Sequence, residues 1–434
     1  FGKMFPSFAF FLFDDTDDDD YLEEDDDDEE DDNDEEDDND EEDDEEENDD
    51  EEDDDEQDAD VINDYDYTDD HDMKNDGNLV QNVKPDEEPR PVVPNISLIR
   101  RNLRNTTNPL LLPDDDFQKL VGVDKVVIRF LVDTLRNDFK QPSRCTALSV
   151  GVKICAAVRF LATGGYQQSI GNHSSFLALS QPAVSHALSE FLEIMEKKMC
   201  PEWIKAGMTE VEKQNSRTHF YRESQLPGII QAIDCTHVKI VNPGKDHSRT
   251  YRNKKGFYSL NVLLACDHEL VFRTVEAKYP GAYQDGFIWN ISALRQKLYE
   301  DYERGERPRL VADAAFPQDQ IVLTPYRNAV AGSREQVYNE RHKEARRFIE
   351  KAIGLLKARF RCLRGTKELF YVPKKATSIV NVCVALHNIC RAHNTQDPTI
   401  EAMESEMDTS EIFYEGSEEV PATSIRDSIR DCLV

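Results

Sequence analysis

Between Gly228 and Phe360 four carboxylates each stand at the edge of an apolar segment, and no feature constrains the fold of this chain more. Asp234 follows Ile-Ile-Gln-Ala-Ile, Asp285 ends Pro280-Gly-Ala-Tyr-Gln-Asp, Asp313 ends Arg309-Leu-Val-Ala-Asp, and Glu350 ends Arg346-Arg-Phe-Ile-Glu. An ionised carboxylate taken out of water is costly unless something compensates it. One such acid is usually a capped turn or half of a salt bridge. Several, each at a strand exit or on a helix face, point to convergence on a divalent cation.

The local patterns place these acids on elements that can converge. Gly228 to Val241 is rich in β-branched residues after Leu226-Pro227 and reads as a strand. Phe257 to Cys266 and Leu270 to Ala277 read as two more, joined by a hairpin turn at Asp267-His-Glu269. Pro280-Gly281 breaks the sheet. Gln284 to Leu298 then carries Phe287, Ile288, Ile291, Leu294 and Leu298 at helical spacing, with Asp285 in the first turn. Arg309 to Ala312 is a short strand with Asp313 at its end. From Glu335 to Leu363 the positions Ala345, Ile349, Ile353, Leu356, Phe360 and Leu363 mark one long amphipathic helix.

Three strands, a helix, a strand and a helix, with acids so placed, make a ribonuclease H-like layout of class α/β, a mixed sheet with flanking helices. The residues resemble one family within it, the PIF/Harbinger transposases and the nucleases domesticated from them. The resemblance rests on Ala232-Ile-Asp-Cys-Thr-His-Val238, Tyr279-Pro-Gly-Ala-Tyr-Gln-Asp285, Ala312-Asp-Ala-Ala-Phe-Pro317, Tyr338-Asn-Glu-Arg341, Ile349-Glu-Lys-Ala-Ile-Gly-Leu-Leu-Lys-Ala-Arg-Phe360 and Leu386-His-Asn388. It covers roughly Asp114 to His393, and 51, 28 and 37 residues separate the successive acids. The chain departs from the family's pattern at Cys235, where Gly is usual, and at Ala312 and Phe316, where Gly and Tyr are usual. These small or isosteric changes touch fine geometry and leave every carboxylate in place.

The net charge of −38 comes from one place. Residues 14–60 hold 39 of the 89 acidic residues and no Lys or Arg, which leaves 50 acids against 51 bases elsewhere. Like charges with almost nothing to bury cannot fold alone, and the Pro-containing stretch to Asn95 reads as linker. The run is a solubilising tail, a mimic of nucleic-acid charge, or a dock for a basic partner such as a histone. Nine scattered cysteines without a Cys-x-x-Cys pair argue against a disulfide framework or structural zinc and for a reducing compartment. No apolar run approaches the roughly 20 residues of a membrane span. The start at Phe1 reads as a fragment or an imperfect gene model, and Phe5 to Phe13 as too short and too abruptly followed by Asp for a secretory signal.

From Ile96 to about Glu223 the pattern is helical. Asp114-Asp115-Asp116 leads a helix from Phe117 to Leu135, and Cys145 to Thr163 is stopped by Gly164-Gly165. Ser174 to Leu179 and Ser180 to Lys198 read as a helix-turn-helix, with Ser180 as N-cap. Gln181, Ser185 and Ser189 form the outward face that would read base edges. A plain helical hairpin is the rival, because that face holds no Arg or Lys; resemblance at Phe160-Leu-Ala-Thr-Gly164 and Leu179-Ser-Gln-Pro-Ala-Val-Ser185 favours DNA binding. The expected domains are therefore an acidic tail and linker (1–95), a helical domain (96–225), a nuclease domain (226–395) and an acidic mobile tail (396–434).

Phosphodiester hydrolysis needs an in-line nucleophile and relief of charge on the attacking and leaving oxygens, which two Mg²⁺ or Mn²⁺ ions held by carboxylates supply. Asp234 is the candidate bridging ligand, with Asp313 and Glu350 completing one ion each and Asp285 coordinating directly or through water. The bland alternatives are a satisfied strand acid at Asp234 and a helix N-cap at Asp285. Arg346, Gly354, Lys357 and Arg361 fall on the face of Glu350, so Arg346, Lys357 and Arg361 are candidate DNA contacts. Lys245 to Lys255 is a second basic segment, a DNA-contacting hairpin or a loop. His387 reads as a packed, hydrogen-bonded histidine. The resemblance implies a nuclear, metal-dependent DNA endonuclease with a Myb-like DNA-binding partner, and leaves a homo-oligomer open. A catalytically silent chromatin-binding protein and a histone-binding module are the other classes.

Overall fold

The apolar runs that flank the carboxylates form one five-stranded mixed sheet of order β3-β2-β1-β4-β5. β1 (Ile229–Lys239), β2 (Ser259–Cys266) and β3 (Phe272–Pro280) make an antiparallel meander. β4 (Arg309–Val311) and β5 (Val322–Leu323) extend it in parallel on the other side of β1. All eight residues of β2 are buried, as a strand covered on both faces demands. The computed structural model describes residues 96–106, 108–140, 147–165, 167, 177–244, 248–366, 368–399, 414 and 420–433. The acidic run at 14–60 and the linker to 95 lie outside the described residues, as do 174–176 of the first expected helix-turn-helix element and 245–247 of the basic segment.

Seven helices described ahead of the sheet are α1 (Ile96–Thr106), α2 (Asp114–Val121), α3 (Lys125–Leu135), α4 (Val150–Thr163), α5 (Gln181–Ile194), α6 (Cys200–Trp203) and α7 (Glu210–Ser224). Their ends follow local chemistry. Ser180 Oγ accepts from the Ala183 amide at 3.4 Å, capping α5, and Thr209 with Glu212 forms a capping box on α7. Gly164 stops α4 with φ of 62° and packs so tightly on the Arg361 carbonyl carbon that a Cβ would come within 2.9 Å. The single helix expected from Phe117 to Leu135 is two, because Gly122 turns left-handed between them at φ 90°.

Within and after the sheet come α8 (Ser248–Tyr251), α9 (Asp285–Ile291), α10 (Ala293–Glu303), α11 (Arg334–Arg359), α12 (Pro373–Ala392) and α13 (Val420–Cys432). The helix expected from Gln284 to Leu298 breaks at Ser292, whose extended backbone ends α9 while its Oγ accepts from the Arg295 amide to start α10. The long helix expected to Leu363 ends at Arg359, and Phe360 leaves helical geometry. The last segment, expected to be an acidic mobile tail, holds α13. Ala422, Ile425, Arg426 and Ile429 recur at helical spacing, and Ala422, Arg426 and Ile429 are buried. The acidic composition around α13 hid that periodicity.

Two apolar layers sandwich the sheet. Ile229, Ala232, Val238, Leu260, Val262 and Leu264 face a large core shared with α11, α12 and the N-terminal helices. Ile230, Ile233, Leu263 and Ala265 face a smaller core closed by Ile288 and Trp289 of α9 and Leu294 and Leu298 of α10. Val93–Val434 is one compact unit, so the helices before β1 and the sheet pack around a common core. Among the described residues, no helix is long and apolar enough to cross a membrane.

Candidate active site

Strand register decides which acids meet. Val311 of β4 pairs in parallel with Ala232 of β1, so Asp313, two residues on, comes level with Asp234. Side chains alternate along a strand. Asp234 therefore shares the Ala232 face, toward α11, while Cys235 shares the Ile233 face, toward α9. Glu350 and Arg346 lie one turn apart on α11, and Arg346 Nη2 stands 3.4 Å from both Asp234 Oδ2 and Glu350 Oε1. The acids keep small open faces at the mouth of this recess, 17% of the Asp234 side chain and 29% of Glu350.

Asp285 is held from the other face. Its Oδ1 accepts from Asn261 Nδ2 at 2.9 Å, and the Cys235 thiol also hydrogen bonds to its carboxylate. Asn261 fixes the approach to α9 as well, donating to the Tyr283 carbonyl at 2.9 Å. The N-cap of α9 is Gln284, so Asp285 is the first helical residue and its carboxylate is engaged with the sheet. Gly281 is needed just before it: a Cβ there would lie 2.2 Å from Ser259 Oγ. Neither Asn261 nor the role of Cys235 was legible in the sequence, since both depend on which face of β1 and β2 they occupy.

Electrostatics confirms that the acids feel one another. Burial pushes the Asp234 carboxyl up to about 7, with Asp313 and Glu350 adding to the rise and Arg346 and the Cys235 amide opposing it. Burial also raises Asp313 to about 6; Arg346 opposes this and Asp285 reinforces it. Asp285 is raised to about 6 by burial and by Asp234, against the Asn261 hydrogen bond. The Arg346 guanidinium is held charged by Asp234, Asp313 and Glu350 together, against its desolvation. Crowded, desolvated carboxylates sharing one cation mark a functional site more often than a structural one.

The other candidate residues are distributed elsewhere. Lys357 is buried, 4% exposed, and donates from Nζ to the His237 carbonyl at 3.2 Å, bracing β1 from inside. Arg361 is exposed, but it lies beyond the end of α11 in a short 3-10 turn, Arg361–Leu363, and so leaves the helical face of Glu350. Gln181, Ser185 and Ser189 are half-buried rather than fully outward. Gln181 Nε2 donates to Gln167 Oε1 at 2.8 Å, and Ser189 Oγ accepts from Lys375 Nζ at 3.1 Å, which turns this face of α5 toward α12. Ser248–Tyr251 of the basic segment is a short helix, α8. His387 is fully buried, its Nε2 3.0 Å from the Leu270 carbonyl and its ring on Phe272.

Hard oxygen donors in a desolvated recess suit a divalent cation, and their number suits Mg²⁺ or Mn²⁺. Their spacing is another matter. Among the described residues, no three His, Cys, Asp or Glu side chains stand close enough to hold an ion as placed. A guanidinium lies between two of the acids instead.

Residues 233–388 match the family model described as DDE superfamily endonuclease. That defines the class: a DDE superfamily endonuclease domain. "Putative nuclease HARBI1" of Rattus norvegicus is 32% identical over 282 residues, 64% of this chain and 78% of the relative. The Homo sapiens protein of the same name is 29% identical over the same shares. "Protein ALP1-like" of Arabidopsis thaliana is 25% identical over 63% of this chain and 70% of its own length. No solved structure matches the chain. The chain belongs to the Harbinger transposase-derived nucleases.

Proposed function

We propose that this protein is a metal-dependent DNA endonuclease of the transposase type, hydrolysing phosphodiester bonds at a ribonuclease H-like site formed by Asp234, Asp313 and Glu350. One observation carries this reading: acids from three separate elements (β1, the exit of β4, and α11) converge on one recess in a member of a nuclease family. These carboxylates would hold a divalent cation, which would supply charge relief to the scissile phosphate and lower the pKa of a water. The chain's own residues prepare the place for it. β1 and β4 set Asp234 and Asp313 at one level through their register, and α11 sets Glu350 across the Arg346 guanidinium from Asp234. Asn261 and Cys235 keep Asp285 beside the site, where the Asp234 charge acts on it and it acts on Asp313.

DNA is the substrate of this reading. Arg346 at the recess and Arg361 on the surface are its phosphate contacts, the helices before β1 assist in binding, and a Myb-like partner supplies sequence recognition that α5, lacking Arg and Lys at Gln181, Ser185 and Ser189, does not. The nucleus is the compartment this substrate requires. Duplexes carrying candidate terminal repeats, incubated with Mg²⁺ or Mn²⁺ with and without a Myb-like partner, test the proposal. Cleavage is expected from the wild type and lost by at least about a hundredfold in Asp234→Asn, the scale of removing one group that stabilises a transition state. Equal cleavage by both proteins would show that this carboxylate does not carry the chemistry.

A further inference from the structure

The guanidinium of Arg346 is badly served for a group so enclosed. Its two acid contacts are both 3.4 Å, at the long limit of hydrogen bonding, and its Nε is buried without any acceptor. Arginine carries five donors on a rigid plane and pairs best with two oxygens of one anion. Here it spans two different carboxylates from two elements, and the Asp313 charge adds a third attraction. The divalent ions in question bind oxygens at about 2.0–2.1 Å, so their ligands must close in further than a guanidinium allows.

We propose that Arg346 is an exchangeable resident cation: it balances the acid cluster in the unloaded protein and leaves for a DNA phosphate as a metal ion takes its place. This deepens, and rests on, the nuclease reading. The exchange puts two positive charges where the guanidinium supplied one, against the several carboxylates that face Arg346, and the departing side chain gains the bidentate phosphate partner it lacks among the acids. Because the phosphate draws Arg346 out of the recess, DNA and metal favour one another, and each raises the other's affinity by the same factor.

The test is Mn²⁺ titration of the full chain by calorimetry, with and without a random-sequence duplex shown intact by gel. Wild type should bind Mn²⁺ weakly alone and about tenfold more tightly with duplex, a coupling of ordinary allosteric size. Arg346→Gln should bind Mn²⁺ about tenfold more tightly than wild type without DNA, and gain little from it. Arg346→Lys, which keeps the charge but loses the planar fork, should fall between, and it stands in if thermal melting shows that Arg346→Gln does not fold. Tighter binding by Arg346→Gln with undiminished DNA coupling would reduce Arg346 to a mere repelling charge and overturn the exchange. Equal or weaker binding by the variant overturns it too, while leaving the metal site standing. No Mn²⁺ binding by any protein, with or without duplex, removes the nuclease reading itself.

Discussion

Asp234 is the residue whose ionisation the fold tolerates least among the raised acids of the site, and stability should report it. Its folded carboxyl titrates near 7, above the usual aspartate value, so between about pH 4 and pH 7 the folded state holds a proton that the unfolded state has lost. This contribution to stability is present at low pH and disappears as pH rises through 7. Asp313 and Asp285, near 6, act in the same direction. His342 and His387, both driven down to about 3 by burial, act in the opposite one, since they must stay neutral while the unfolded chain protonates them below about pH 6.5. A difference measurement isolates the carboxylate: without metal, Asp234→Asn should melt a few degrees above wild type at pH 7.5 and level with it at pH 4. An equal difference at both pH values would mean that the cluster does not strain the fold. Asn388 offers a contrast, a residue whose worth is purely structural. Its amide accepts from the Phe272 amide at 2.9 Å and donates to the carbonyls of Phe272 and Trp203 at 2.8 Å each. Asn388→Ala leaves these buried groups without partners and should cost about 2–4 kcal/mol by urea denaturation, while metal binding by the folded fraction stays unchanged.

At the scale of elements, α11 and α13 share the task of building the recess. α11 presents Arg346 and Glu350 to β1, and α13 braces the connection that carries Asp313 from β4 to α11. Tyr326 donates from its hydroxyl to Asp427 Oδ1 at 2.6 Å, and Arg430 bonds Glu335 at 2.9 Å. Gln318 joins both sides, accepting from the Thr324 amide at 2.9 Å and donating to the Ala422 carbonyl at 3.2 Å. Tyr414 reaches nearer still: its amide donates to the Ala314 carbonyl at 2.8 Å, and a Cβ on Gly286 would lie 2.4 Å from its ring. Ile429→Ala should therefore cost about 2 kcal/mol by loss of a buried side chain. Ending the chain at residue 399 should lower the melting temperature by several degrees and weaken Mn²⁺ binding, because Asp313 loses its support. Unchanged metal affinity in the shortened protein would show that β4 alone fixes Asp313.

For the whole molecule, charge is divided very unequally. Removing residues 14–60 takes away 39 negative charges and leaves a chain with 50 acids and 51 bases. A nearly neutral protein with local basic residues binds duplex through phosphate contacts that release counterions. Deleting residues 1–60 should accordingly tighten non-specific duplex binding and steepen its dependence on salt, as read from affinity across a salt series. Superimposable curves for the two proteins would assign the run to solubility or to a basic partner.

The elements of the nuclease half were legible because each is written in local periodicity. A β-branched run set β1, helical spacing set α11, and Gly164 and Ser180 marked helix ends by chemistry that acts within one turn. The positions of Asp234, Asp313 and Glu350 at the edges of apolar segments likewise pointed to a shared site before any fold was known. What sequence could not settle involves groups far apart in the chain. Ser292 splits α9 from α10 through hydrogen bonds of its hydroxyl, and α13 is held by partners about a hundred residues away. Lys357 looked like a surface cation by helical spacing, yet the packing of α11 on β1 buries it. Above all, local pattern placed Arg346 on the right face of α11 but gave it only the DNA as a partner. Its actual partners depend on the register of β4 against β1, which brings Asp313 level with Asp234, and on how α11 crosses that pair; Coulomb attraction across those elements then sets the guanidinium among the acids.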